Sequence, residues 1–235
     1  EEWDDLQTNE QLLAEGFYDV LGHYKDYPVE WAALKEHEQQ GNVDQILRAL
    51  DALDSEFMER HCLEALTRMG DAEAFDEMHD RAGRRDQPGI EALGKMGPDA
   101  ADAVDTLVEY VDTDSDPQLQ KVTFRALGEI GSEEATQALA DKLEMDNDNV
   151  RPLAARALGM IGDTRAIEPL AETLAEDEDR NVRTAAAWAL RQIGTREALE
   201  AAAEYDDATA YTLQAEAEKA REALDADDEA AAVEA

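Results

Sequence analysis

The stretch Asn149-Val150-Arg151-Pro152-Leu153-Ala154-Ala155-Arg156-Ala157-Leu158-Gly159-Met160-Ile161-Gly162 decides how the rest of the chain is read. Val150, Ala154, Ala157, Leu158 and Ile161 fall at i, i+4, i+7, i+8 and i+11, the spacing of one apolar stripe along an α-helix. Gly162 stands where a residue in the left-handed conformation ends a helix, and Asp163 stands where a short acceptor side chain opens the next one. The stretch therefore reads as an amphipathic helix with marked ends.

Working outward, the same ending returns as Ala126-Leu127-Gly128-Glu129-Ile130-Gly131 and Ala189-Leu190-Arg191-Gln192-Ile193-Gly194, and earlier as Ala92 to Gly97 and Ala65 to Gly70. Gly41 marks one more boundary, and the intervals between these final glycines are 29, 27, 34, 31 and 32 residues. A last copy, Leu213 to Asp225, keeps the spacing without the glycine. Ahead of each copy lies another helical stripe, as in Ile167, Leu170 and Leu174, so each unit is a helical pair. Ser132, Asp163 and Thr195 are placed to cap first helices; Ser55, Asp116, Asn147 and Asp179 are placed to cap second helices, with Pro117 at a favoured first position.

A pair of this length cannot bury both stripes alone, so neighbouring pairs must stack into a continuous core. The expected fold is an all-α solenoid of six pairs over 41–225: Asn42 to Gly70, Asp71 to Gly97, Pro98 to Gly131, Ser132 to Gly162, Asp163 to Gly194 and Thr195 to Asp225. At an interhelix distance of 8 to 10 Å such a stack spans about 50 to 60 Å. Residues 1–40 read as a helical cap formed by Thr8 to Tyr24 and Pro28 to Gln40, carrying Trp3, Phe17, Tyr18, Tyr24 and Trp31. Residues 226–235 read as an acidic disordered tail.

The 235 residues hold 58 Asp and Glu against 21 Lys and Arg, a formal charge of -37, with 43% apolar and 34% charged residues. That apolar share supports a folded chain, and its 42 alanines point to close helix contacts with few deep pockets. Acids spread over the whole length, and Lys is scarcer than Arg, six to fifteen. Such a composition resembles that of proteins from halophilic archaea, whose salty cytoplasm shortens the Debye length to about 3 Å at 1 M and screens self-repulsion. The charge sets bare nucleic acid and anionic membrane aside as partners. No run free of charged residues exceeds Ala208 to Ala215, too short for a transmembrane helix of about 20 residues. The acidic start, Glu1 to Asp5, lacks the basic end of a signal peptide, so a cytoplasmic location is expected, with a trimmed start left open by the missing Met. Cys62 is the only cysteine, which excludes an intrachain disulfide.

The stretch 149–163, with Asn181-Val182-Arg183-Thr184-Ala185-Ala186-Ala187-Trp188-Ala189-Leu190, resembles HEAT repeats of the phycobilisome-lyase-like type, strongly over Pro98 to Gly194 and more weakly over Gly41 to Gly97. The resemblance implies a scaffold for protein partners, motility and chemotaxis adaptors being one setting in which such repeats serve. It also brings two enzymatic branches, bilin lyase subunits and deoxyhypusine hydroxylase.

The hydroxylase branch binds iron through His-Glu pairs on inner helices. Here only His37-Glu38 is such a pair, in the cap; His61 lies near the inner-helix position, with Cys62 where Glu should stand. His61 and Cys62 therefore read as ordinary helix residues, and no metal or other cofactor is expected. Asp112, Asp114 and Asp116 imitate a calcium loop, but its sixth and twelfth positions hold Pro117 and Thr123 rather than Gly and Glu. No phosphate-binding glycine loop and no nucleophilic triad are present, and the chain is expected not to be an enzyme. The rival expectation is an enzyme or enzyme subunit of the bilin-lyase or metal-hydroxylase type.

Basic residues are more informative. The second helices at Asn149 to Ile161 and Arg180 to Ile193 hold five Arg and no acid. Arg125, Arg156 and Trp188 share one offset in successive second helices, a row with the composition of a binding hot spot. With Lys121 and Arg191 they are the expected partner-binding residues of a concave inner face, the partner being an acidic protein. A competing reading has Trp188 filling space between repeats, and Arg151 and Arg183 forming ladders to turn carboxylates such as Asp148 and Asp179. The segment Arg81 to Gly89, basic and broken by two Gly and Pro88, reads as a short repeat or as a docking loop.

Overall fold

A computed structural model describes residues 28–52, 56–113, 116–204 and 211–234. The helix expected at Thr8 to Tyr24, with Trp3, Phe17, Tyr18 and Tyr24, and the expected cap Ser55 lie outside the described residues. Among those described the secondary structure is entirely helical. The elements are α1 (Pro28–Gln40), α2 (Val43–Ala52), α3 (Glu56–Met69), α4 (Ala72–Gly83), α5 (Gln87–Met96), α6 (Val104–Thr113), α7 (Pro117–Ile130), α8 (Glu133–Asp141), α9 (Arg151–Ile161), α10 (Ile167–Glu176), α11 (Arg180–Ile193), α12 (Arg196–Glu204) and α13 (Tyr211–Glu234). Short 3-10 turns at Gly97–Ala103, Lys142–Glu144 and Thr164–Ala166 complete them. The architecture is an α-solenoid. The last helix runs to Glu234, through most of the stretch read from sequence as a tail. The chain divides into two compact units, Glu1–Leu93 and Gly94–Ala235.

Helix ends follow the chemistry of the boundary residues. Gly131 and Gly162 sit at φ 64° and 75°, and each donates its N–H to a carbonyl one turn back, Leu127 and Leu158 respectively. A side chain is strained in that conformation, so glycine is the residue that stops these helices without cost. Ser132 accepts from the Ala135 N–H at 3.2 Å, Asp116 from Gln118 at 2.8 Å and Asp179 from Asn181 at 2.6 Å. Asn147 departs from its expected role: its side chain accepts from the Asn149 N–H at 3.0 Å inside a turn, and regular helix begins only at Arg151.

In the second unit the apolar stripes form the core. Val150 just ahead of α9, Ala154, Ala157 and Leu158 of α9, and Val182, Ala186, Ala189 and Leu190 of α11 are all buried. Ile161 and Ile193, which the stripe also includes, remain half-exposed at the helix ends. Ile167, Leu170 and Leu174 of α10 close the layer from the first-helix side. Alanine lets these helices approach closely, and glycine does so further: a Cβ built on Gly159 would lie 2.7 Å from the Ala189 Cα, inside any ordinary contact.

In the first unit, Arg81 is the centre of the broken segment. Its guanidinium reaches Glu59 at 2.5 Å, Glu77 at 2.7 Å and Asp86 at 3.6 Å, with its side chain 14% exposed. Arg85 turns the chain at φ 64°, and Gly89 lies against Arg81 and Ala82 so tightly that a Cβ would meet Arg81 Cβ at 2.6 Å. These contacts describe a short second helix pinned to its partner, the first of the two readings of this segment. Cys62 is buried in the same unit, and burial pushes its thiol up to about 12 despite the nearby Arg81. It is a small core residue and not a reactive one.

Candidate functional site

The second helices α7, α9 and α11 carry the residues singled out from sequence, and the structure separates them. Lys121 and Arg156 are exposed and line one groove of about 780 Å³ together with Pro117, Gln120, Asn147, Asp148, Asn149, Pro152, Leu153 and Asn181. Among the described residues neither Lys121 nor Arg156 has a carboxylate within ion-pair distance. The side-chain amides of Asn149 and Asn181 are likewise without a described hydrogen-bond partner, and both residues are exposed. The single acid in the groove, Asp148, is held by Arg151 Nη2 at 2.7 Å. Arg180, at the head of α11, is another exposed cation without a described partner, but it does not line the groove.

Arg125, Trp188 and Arg191 are not part of this groove. Arg125 faces Glu129 one turn along its own helix at 3.7 Å. Trp188 is half-buried, its ring packed over Gly159 of the preceding second helix, with Cζ3 2.8 Å from where a Cβ would stand. Trp188 thus fills space between repeats. Arg191 occupies the place that Gly94, Gly128 and Gly159 hold in earlier copies, and its Nε donates to Glu216 of α13 at 2.8 Å. Where the earlier second helices meet through glycine and alanine, this one is tied to α13 by an ion pair. Arg191 is thus engaged with α13 and lies apart from the groove that holds Lys121 and Arg156.

The ladder arginines are resolved as well. Arg151 bridges Asp148 of its own turn and Asp177 of the next repeat, the latter at 2.7 and 3.2 Å, and donates to the Met145 carbonyl at 3.0 Å. Its guanidinium is 13% exposed and Asp177 8%, so this is a nearly buried link between consecutive repeats. Arg183 donates to the carbonyl oxygens of Asp177 and Glu178 at 2.7 and 2.9 Å, while Asp179 caps its own helix through the Asn181 N–H.

Sequence reasoning missed the amides. Asn149 and Asn181 each stand just before a buried valine, Val150 and Val182, and at the same register of α7 Gln118 stands just before buried Leu119. That recurrence was a legible signal. Among the described residues no three of His, Cys, Asp and Glu converge as a metal site would require. His61 Nδ1 lies 3.2 Å from Glu64, and Glu38 binds Arg68 and Lys35 at 2.6 and 2.7 Å. Asp114 of the calcium-like sequence lies outside the described residues, and Asp116 is an N-cap.

Stacked helical pairs, glycine-ended second helices and a polar groove on the second-helix face define an α-solenoid built of repeats. A family model for HEAT repeats matches residues 87–151 and 140–222, more than half of the chain. The chain belongs to the HEAT-repeat family. Among curated proteins, none matches it significantly. Solved structures similar to it include human deoxyhypusine hydroxylase, at 20% identity over 92% of this chain and 98% of that one, with a TM-score of 0.41. The CpcE–CpcF complex of phycocyanin lyase from a Nostoc species is 22% identical over 87% and 91%, with a TM-score of 0.42. A designed armadillo repeat protein in complex with a (KR)4 peptide is 19% identical over 86% and 95%, with a TM-score of 0.39. These are likenesses of fold and assign no activity. They do correct one expectation: two of the similar proteins are named as enzymes, so the exclusion of enzymes drawn from the sequence is withdrawn.

Proposed function

We propose that this HEAT-repeat protein is a scaffold that docks a protein partner on the second-helix face of its second unit, with Lys121 and Arg156 as the cationic contacts. The observation that carries the reading is that these two cations line a single groove without a described acidic partner, in a chain of charge -37. Neighbouring arginines are committed: Arg151 to Asp148 and Asp177, Arg191 to Glu216. With acids in excess, a cation left unpaired is available for a ligand. The net charge favours protein over bare nucleic acid, whose phosphates it repels at long range. No described helix is long and apolar enough to cross a membrane. The same charge supports a salt-adapted setting, of which an adaptor in a motility or chemotaxis system is one case.

A photo-crosslinking residue at Leu153, half-buried in the groove, compared with one at exposed Glu172 on α10 of the first-helix side, tests the reading in the native host. A discrete adduct from Leu153 and none from Glu172 is expected. Equal adducts from both positions, or an adduct from Glu172 alone, would place docking elsewhere.

A further inference from the structure

The groove's residues say more about the occupant than its charge does. Lys121 and Arg156 supply donors without acceptors, and Asn149 and Asn181 supply amides that can both donate and accept. Pro117, Pro152 and Leu153 give it an apolar floor between them. An amide pair that donates and accepts at one site matches a free peptide group, which offers one N–H and one C=O. A helical segment has already spent those groups on its own backbone, whereas an extended segment presents them. Two cations in the same groove then call for carboxylates on that segment.

Resting on the docking reading above, we propose that the groove lined by Lys121, Asn149, Arg156 and Asn181 binds an extended acidic peptide segment of a partner protein. The amides hold its backbone, and the two cations take its carboxylates. Spacing can be stated from the repeat. Neighbouring second helices pack at about 8–10 Å. Lys121 stands two residues after buried Leu119 and Arg156 six after buried Val150, an offset of four residues, or about 6 Å at 1.5 Å per residue. Together these put the cationic anchors about 10–12 Å apart. An extended chain covers that in three to four residues at about 3.3 Å each. The favoured segment therefore carries Asp or Glu at i and i+3 or i+4.

The probe is a set of short, end-blocked, fluorescein-labelled peptides carrying two Asp separated by one to four Ala. Binding is read by anisotropy at the lowest KCl concentration where circular dichroism shows full helicity. The peptides with two or three intervening Ala are expected to bind at least about tenfold more tightly than their Asn isosteres. The Lys121→Ala/Arg156→Ala variant should lose at least about tenfold, and Asn149→Ala/Asn181→Ala about threefold or more. All four side chains lie at the groove surface, and circular dichroism checks that each variant keeps its helicity. Equal binding of the isosteres, absence of binding by every peptide, or binding unmoved by either variant overturns the proposal. If a stapled helical version of the same acids binds more tightly, and through Lys121 and Arg156, the extended occupant is wrong while the docking face stands. If a short oligothymidylate binds the groove more tightly than the peptides, both the occupant and the protein-docking reading fall.

Discussion

The ring of Trp188 lies over Gly159, with Cζ3 2.8 Å from the position a glycine Cβ would take, while the Cα of Ala189 stands 2.7 Å from that same position. One glycine thus sets the distance between two repeats and seats the tryptophan beside it. The contact explains why Trp188 and Arg156, at one offset in the sequence, have different roles: one ring is spent on the repeat interface, and one guanidinium faces the groove.

Gly159→Ala therefore tests two opposed effects. Alanine gains about 1 kcal/mol over glycine in a helix interior. Overpacking against backbone costs about 1–3 kcal/mol, and here the obstacle is a Cα that cannot swing away. Net destabilisation by about 1 kcal/mol is expected in denaturant melts. Gly128→Ala, whose nearest backbone neighbour is 3.3 Å away at Ala157, should be close to neutral. Equal effects would mean that the repeat spacing is not set at Gly159.

Arg151 and Arg156 are five residues apart on one helix and should behave differently. Arg151→Ala leaves the nearly buried Asp177 without its guanidinium and should cost roughly 1–3 kcal/mol in stability. Arg156→Ala removes an exposed side chain without a described partner and should stay within about 0.5 kcal/mol of the parent. Thermal and urea melts of the two variants decide this; matching losses would show that Arg156 is also structural.

How much of this was legible depends on how far apart in sequence the partners lie. The glycine boundaries and buried stripes could be read because helix periodicity and capping are local. Lys121 and Arg156 could be read because cations stand out on second helices where Glu129 is the one acid, in a chain otherwise rich in acids. Arg191 could not, because its partner Glu216 is 25 residues on, in a helix that has lost the repeat motif. The two carbonyls that Arg183 donates to could not be read either, since backbone acceptors leave no trace in composition. The amides Asn149 and Asn181 looked like part of the repeat signature, and only the groove shows them facing the same space.

The tie between α11 and α13 gives a pH dependence. Burial alone would raise the Glu216 carboxyl, but hydrogen bonds from Lys219 and Arg191 outweigh it and hold it below its ordinary value of 4.5. A carboxylate lowered on folding contributes stability that is complete above the unfolded value and is lost as pH falls through the folded one. Glu216→Gln should therefore destabilise the protein near pH 7, and the difference from the parent should shrink progressively below about pH 4.5. A difference that stays constant down to acid pH would show that the ion pair contributes nothing.

The charge of -37 predicts a salt dependence. Raising KCl from about 0.1 M to above 1 M shortens the Debye length from about 10 to 3 Å and screens repulsion among the acids. Helicity and melting temperature should rise together over that range in circular dichroism. A flat melting temperature would remove the salt-adapted setting and leave the solenoid as it is.

The central claim is that the groove holding Lys121 and Arg156 is the docking surface. It is tested most directly by the affinity of the partner recovered through the Leu153 crosslink, measured by calorimetry for the parent and for Lys121→Ala/Arg156→Ala. The account predicts at least a tenfold loss, about 1.4 kcal/mol, with an unchanged melting temperature. Equal affinities for the two proteins would contradict it.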